Sequence, residues 1–421
     1  MGDATSSGLQ TSSPDRLQEH PRFRWAVLGL AALSQTTASI VAQGIYTLVP
    51  AFQSTFSLSQ AQAALAVTAV NGGQVLSMLS LGWLIDRHGE RNVVGFTMIL
   101  MGATAFLAAN APSFSILLLA LVALGACYAS VQPGGTRAVL RWFPPAQRGM
   151  ATGIRQSGLP LGTALAAMTL PWIAQHHGWQ SALIAQALVG IVGGMMFWLL
   201  YRTKGALPIT EAQAPTPGLM QIVREVTRYR ALWPVMLAGV AMVTFQYTFA
   251  THVLSFLMYQ FELSMVAAAL LYAVSQWVGI AGRIGLAWVS DRLWPGQRVR
   301  SLAITMAICV LLTLGLILLP VTTPASMLVG LFVAIGVFGV GWYPLYLLQV
   351  AEMAPKSAVA STISFSMTLN MAAICVIPPA FGLLVDLSGY MAAWLSLATM
   401  LAAFALHLLR GAAAAEAARR A

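Results

Sequence analysis

Apolar residues along the chain fall into long runs separated by short polar breaks, with neither the strict alternation of a strand nor the narrow stripe of a surface helix. A run of about 20 apolar residues crosses the ~30 Å hydrocarbon core of a bilayer as one α-helix. Six such runs occupy residues 25–49, 61–85, 92–109, 113–139, 149–174 and 179–201, and six more occupy 232–258, 264–290, 301–319, 325–350, 357–385 and 391–409. The longest polar interval, 202–231, holds Pro208, Pro215, Pro217 and Gly218 and reads as a linker. The pattern therefore predicts an all-α integral membrane protein of twelve transmembrane helices. Two six-helix bundles, 25–201 and 232–409, are expected to flank the linker, between an N-terminal tail (1–24) and a C-terminal tail (410–421).

Composition agrees with lipid as the main solvent. Of the 421 residues 58% are hydrophobic and 8% charged, against roughly 25% charged in soluble domains. The three cysteines, Cys127, Cys309 and Cys375, lie inside apolar runs and offer neither a disulfide framework nor metal-ligand spacing. No cofactor or metal is expected, and no nucleophile-and-base constellation or phosphate-binding loop suggests an enzyme.

The net charge of +10 has a topological origin. Lys and Arg are retained on the cytoplasmic side of short loops. With the N-terminus inside, nineteen of the 22 basic residues fall in inner segments and no outer loop holds any. Omitting one helix would scatter them, so the asymmetry predicts both the count and cytoplasmic termini. It also removes the need for a nucleic-acid partner. The polar stretch to His20 lacks the apolar core of a cleavable signal and is expected to stay in the cytosol.

The two halves echo each other. GWLIDRHGER (82–91) closes the second run and AWVSDR (287–292) closes the eighth, an offset of 205 residues; Pro144 and Pro145 find a counterpart at Pro355. Gly82, Asp86, Arg87, Gly89 and Arg91 match the loop signature of the major facilitator superfamily, with a partial copy at Asp291 and Arg292. The family often adds a further basic residue, where this chain has Asn92. The sequence thus resembles that superfamily from residue 25 to 409. The resemblance implies a plasma-membrane secondary transporter whose two bundles rock about a central site. The charged pairs at the helix ends are expected to reach helix termini of the opposite bundle in one conformer and to release them in the other.

Ionisable residues inside spans are costly and serve as functional candidates. Arg283 lies eight residues before Asp291, ~12 Å from the helix end, within GIAGRIGLAW, where small residues let a helix or a ligand approach. Arg155 lies ~10 Å into the fifth run, in GIRQSGLPLG, where Gly and Pro160 favour a bend. Each can bind a carboxylate; otherwise Arg283 snorkels or braces helix carbonyls, and Arg155 braces the cytoplasmic gate. Arg137 is shallower and reads as a snorkelling or gating residue. All twelve carboxylates map to tails, loops or helix ends, which disfavours cation export and favours an anionic substrate. Gln35, Tyr46, Asn71, Gln74, Tyr128, Gln132, Gln246, Tyr247, Gln276, Trp342, Tyr343, Tyr346 and Asn370 are available to complete the pocket or to bond helices together. His252, well within a span, reads as a structural histidine before a proton relay.

The expected substrate is a small organic carboxylate, carried by proton symport or anion exchange by a monomer in the bilayer, with Arg283 the main counter-ion and Arg155 a second. An eighth-helix Arg together with the loop motif resembles the monocarboxylate and oxalate/formate branch, although that branch's acidic-Gly-Gly-aromatic opening and eleventh-helix Lys are missing. Efflux of neutral or amphipathic drugs is the alternative within transport. A membrane sensor without flux is the alternative outside it.

Overall fold

The computed structural model describes residues 23–202, 232–294, 298–354 and 359–420, all helical apart from short connections. The N-terminal tail to residue 22, the linker prolines and the turn at Pro355 lie outside the described residues, as do the side chains of Asp86, Arg148 and Asp291. The N-terminal half runs α1 (Phe23–Phe56), α2 (Gln60–His88), α3 (Glu90–Ala109), α4 (Phe114–Tyr128), α5 (Val131–Trp142), α6 (Pro145–Gln156) and α7 (Gly158–Leu200). The C-terminal half runs α8 (Trp233–Gln260), α9 (Met265–Leu293), α10 (Arg298–Leu318), α11 (Ala325–Ile335), α12 (Tyr343–Met353) and α13 (Val359–Arg420), with a π-helical turn, Gly336–Val340, joining α11 to α12.

Among the described residues nine helical stretches are long and apolar enough to cross a membrane. Two are too long for one crossing. Met150–Leu200 has 51 residues and Phe365–Gly411 has 47, roughly 77 and 70 Å at 1.5 Å per residue, more than twice the ~30 Å core. Each turns back at a glycine with positive φ: Gly178 (φ 81°) in α7 and Gly389 (φ 79°) in α13. The reversal is visible in shared neighbours. Ala166, Leu170 and Gln186 all crowd Gly44 of α1, and Phe381 and Trp394 meet edge to face while both reach α8. Left-handed φ is cheap only for glycine, so GW at 178–179 and GY at 389–390, 211 positions apart, are a third echo between the halves. The fourth run of the sequence breaks at Ala129–Ser130 and the fifth at Ser157, where the expected bend occurs.

The apolar interior divides into two cores, one within the N-terminal half and one centred on the C-terminal half that also takes in Tyr46, Val49, Ala63, Val67 and Ala167. Large apolar side chains point outward around them: Leu76 is 80% exposed, Leu119 70% and Ile284 71%. In water this belt would be a severe liability; against lipid chains it costs nothing. The end of the molecule that carries Arg87, Arg91, Arg141, Arg202, Arg292 and Arg298 is called the basic end. Gly178 and Gly389 mark the far end.

Candidate functional site

In the N-terminal half α6 stops at Gln156, which sets Arg155 in its last turn, where a cation faces the negative end of the helix dipole. The side chain is fully buried. Its Nη1 donates to Gln35 Oε1 at 3.0 Å, and its Nη2 donates to Gln132 Oε1 at 3.1 Å and to Thr136 Oγ1 at 3.3 Å. Arg155 thus joins α1, α5 and α6 through neutral acceptors. Gln35 passes the contact on, its Nε2 lying 3.4 Å from the Tyr128 hydroxyl. Room for the guanidinium comes from Gly135, where a Cβ would sit 2.8 Å from Arg155 Nη1. Gly135→Ala is accordingly expected to displace Arg155 and slow transport about tenfold at unchanged protein level, as measured by initial uptake rates in proteoliposomes.

In the C-terminal half Arg283 stands on α9 and is half-buried, with exposed Ile284 beside it on the lipid side. The glycines around it serve a helix. A Cβ on Gly282 would lie 2.8 Å from Val337 O, and one on Gly279 would lie 2.6 Å from Val340. The π turn therefore packs directly on α9, one turn from Arg283, and carries the chain into Trp342 and Tyr343. Gln246 Oε1 accepts from Trp342 Nε1 at 2.8 Å, and the rings of Trp342, Tyr343 and Tyr346 pack together. The Tyr346 hydroxyl bonds Ser366 with Asn370 beside it. Arg283 itself has no hydrogen-bond or ion-pair partner among the described residues, and its Nε is sealed from solvent without one. Tyr247 and Tyr343 lie within electrostatic reach of the guanidinium.

A tyrosine layer joins the two arginine environments. Tyr46 of α1 meets Tyr247 of α8 ring to ring at 6.0 Å, and Asn71 Nδ2 donates to the Tyr46 hydroxyl at 2.7 Å. Tyr128 is within electrostatic reach of Tyr247 and of Arg155. Gln35, Tyr46, Tyr128, Gln246, Tyr247 and Tyr343 are thus brought together between the halves near mid-height. Gln74 and Gln276 are buried in α2 and α9. Such a layer offers one cation without an ion-pair partner among the described residues and several hydroxyl and amide groups, a set suited to a carboxylate that carries further hydroxyls.

At the basic end the loop motif shows its repeat physically. Arg87 lies 5.4 Å over the Trp83 ring and Arg292 5.5 Å over the Trp288 ring, each one turn along its own helix. Gly89 has φ 79° and ends α2, and Arg91 Nε donates to Trp198 O at 2.7 Å. Two residues without a role in the sequence reading emerge. Glu90, fully buried, takes Arg137 Nε at 3.4 Å, Arg141 Nη1 at 3.3 Å and the Tyr201 hydroxyl at 2.7 Å. That makes Arg137 a member of an ion cluster. Asp386 joins the halves at the far end. His252 is buried with Nε2 2.8 Å from Pro378 O, against the Phe381 ring, while its Nδ1 is buried without a hydrogen-bond partner among the described residues.

Known proteins agree with this architecture. An uncharacterised MFS-type transporter of Mycobacterium tuberculosis (strain H37Rv) is 28% identical over 88% of this chain and 81% of its own length. The probable galactarate/D-glucarate transporter GudP of Bacillus subtilis is 25% identical over 76% and 77%. The crystal structure of a bacterial homologue of the human lysosomal transporter Spinster, inward-facing and occupied, superposes with a TM-score of 0.73 at 18% identity, covering 94% of this chain and 97% of that one. A match to the family model described as Major Facilitator Superfamily extends over residues 31–378, and with it the chain belongs to that superfamily of membrane transporters.

Proposed function

We propose that the protein carries a small hydroxylated organic acid across the membrane by alternating access of two six-helix halves, 25–201 and 232–409. The nine membrane-length stretches, the two reversals at Gly178 and Gly389, and α2 together support a count of twelve passes. The basic loops support a topology with both termini in the cytosol and the far end facing outward. Proton symport or anion exchange supplies the driving force.

The observation that carries the anion reading is Arg283, a guanidinium inside the membrane region whose buried Nε has no partner and which meets no carboxylate or carbonyl among the described residues. A cation held there is stable only if water or a negative group meets it. The surrounding phenols and amides are donors for the hydroxyls of a sugar acid. The name of the Bacillus subtilis relative supports the same class. Arg155 acts as the brace that fixes Gln35 and Tyr128 on the other wall.

The test is uptake of labelled glucarate and galacturonate by proteoliposomes, with unlabelled glucose, glucitol, gallate and lactate as competitors. Acids are expected to compete at least tenfold better than the uncharged sugars. Equal competition by glucitol and glucarate would sink the anion reading and leave the general transporter assignment intact.

A further inference from the structure

One carboxylate from the C-terminal half completes a helix of the N-terminal half. Asp386 Oδ1 accepts from the backbone N–H of Gln60 at 2.8 Å and its Oδ2 from that of Ala61 at 2.9 Å. Both donors belong to the first turn of α2, where N–H groups have no partner within the helix. Ser59 and Gln62 form a capping box that takes care of the Gln62 and Ser59 amides. The remaining two are met only across the interface, by a charge placed at the positive end of the helix dipole. One turn earlier Gly382 lets the backbones touch, since a Cβ there would lie 2.6 Å from Gln60 O. Deeper along the same seam Thr68 donates to Cys375 O at 2.9 Å. No Lys or Arg pairs with Asp386 among the described residues, so the carboxylate owes its position to these two amides.

We infer that Asp386 is the outer latch of the transport cycle, holding the far end shut and releasing α2 when that end opens. The inference rests on the alternating-access reading. Pairing of Gln60 with Asp386 and of Thr68 with Cys375 makes α2 and the first arm of α13 antiparallel neighbours. Each of them carries an Asp three residues before a glycine with positive φ: Asp386 before Gly389 at the far end, Asp86 before Gly89 at the basic end. In an antiparallel pair each of these positions falls where the partner helix begins. The two halves thus carry one device twice, at opposite ends of the same seam, and closing one end separates the groups at the other.

Distance measurement between spin labels tests this without a substrate. Asn110→Cys and Thr322→Cys place labels at exposed positions on the far end of either half, in a background with Cys127, Cys309 and Cys375 replaced by serine. Asp386→Ala is expected to raise the ratio of long to short distances roughly tenfold, with Asp386→Glu restoring most of the short population. Asp386→Asn, which keeps the volume and removes the charge, is expected to fall between them and replaces the alanine variant if that one does not fold. Gly382→Trp, a wedge in the same seam, serves as the opened reference. If the wedge lengthens the distances while Asp386→Ala and Asp386→Asn leave the ratio at the unsubstituted value, the latch is overturned. If the wedge too leaves a single short distance, the alternating-access reading fails instead.

Discussion

Arg283→Ala is expected to lower uptake of the organic acid at least a hundredfold while leaving the protein inserted and folded. In the absence of substrate Arg283 has no hydrogen-bond or ion-pair partner among the described residues. Its removal therefore breaks no hydrogen bond or ion pair among the described residues, and melting is expected to be unchanged or slightly higher. A carboxylate arriving between the halves meets a planar fork that makes two parallel charge-assisted hydrogen bonds. Hydrogen bonds to charged groups contribute about 1.5–3 kcal/mol each, so loss of the pair costs about 3 kcal/mol or more, a factor of a hundred or more in affinity. Arg283→Lys keeps the charge and loses the fork, so a residual rate near a tenth of the unsubstituted one is expected. Initial rates over a range of substrate concentrations separate the effects, since KM rises first. Arg155→Ala gives the contrast. It removes three hydrogen bonds from a sealed site, so it lowers the melting temperature as well as the rate. Equal losses of uptake and of stability in Arg283→Ala would show that Arg283 is a brace too.

The helices were legible, and Arg283 stood out as a candidate, because each is a local property of the chain. A run of apolar residues announces a crossing by itself, and an arginine in its middle stands out against it. The Asp-Arg echo at 86–87 and 291–292 was legible for the same reason, and it surfaces as two matching Trp–Arg stacks. The motif's expected partners in the opposite half are a different matter. Arg87 and Arg292 rest on their own helices, as befits a state in which the halves are joined at the far end. Asp386 and Glu90 were not legible. A carboxylate at a helix end looks the same in sequence whether it faces water or a partner. Their partners lie 326 and 111 positions away, with nothing local to mark the pairing. The glycines near Arg283 show the complementary limit. Small residues announce a close approach, and the structure was needed to say that a π turn, and not a ligand, makes it.

The second large effect is expected at Glu90 and concerns stability. Glu90 is the first residue of α3, directly after the positive-φ Gly89, so its carboxylate sits at the favourable end of the helix dipole. It is fully buried and is clasped by Arg137 and Arg141, one turn apart on α5, and by the Tyr201 hydroxyl beyond α7. Arg137 also donates to Ile85 O at the end of α2. One anion therefore ties four helix ends of the N-terminal half together at the basic end. Glu90→Ala leaves two neighbouring guanidinium groups without their shared counter-charge, and breaking a buried pair in this way costs about 3–5 kcal/mol. The arginines are 16% and 24% exposed, so water recovers part of this and a value of about 3 kcal/mol is expected. Glu90→Gln keeps an acceptor for Tyr201 and loses the charge, and its cost is expected to be about half. Because the apolar replacement of a whole buried pair is often neutral, Glu90→Leu combined with Arg137→Leu is expected to be more stable than Glu90→Leu alone. Thermal unfolding of the four variants in one detergent checks the order. A Glu90→Ala protein that melts with the unsubstituted one would mean that water, and not this carboxylate, neutralises Arg137 and Arg141. The cluster lies wholly within one half, so turnover per folded molecule is expected to change far less in Glu90→Gln than in Arg283→Ala, separating the group that builds the bundle from the group proposed to meet the cargo.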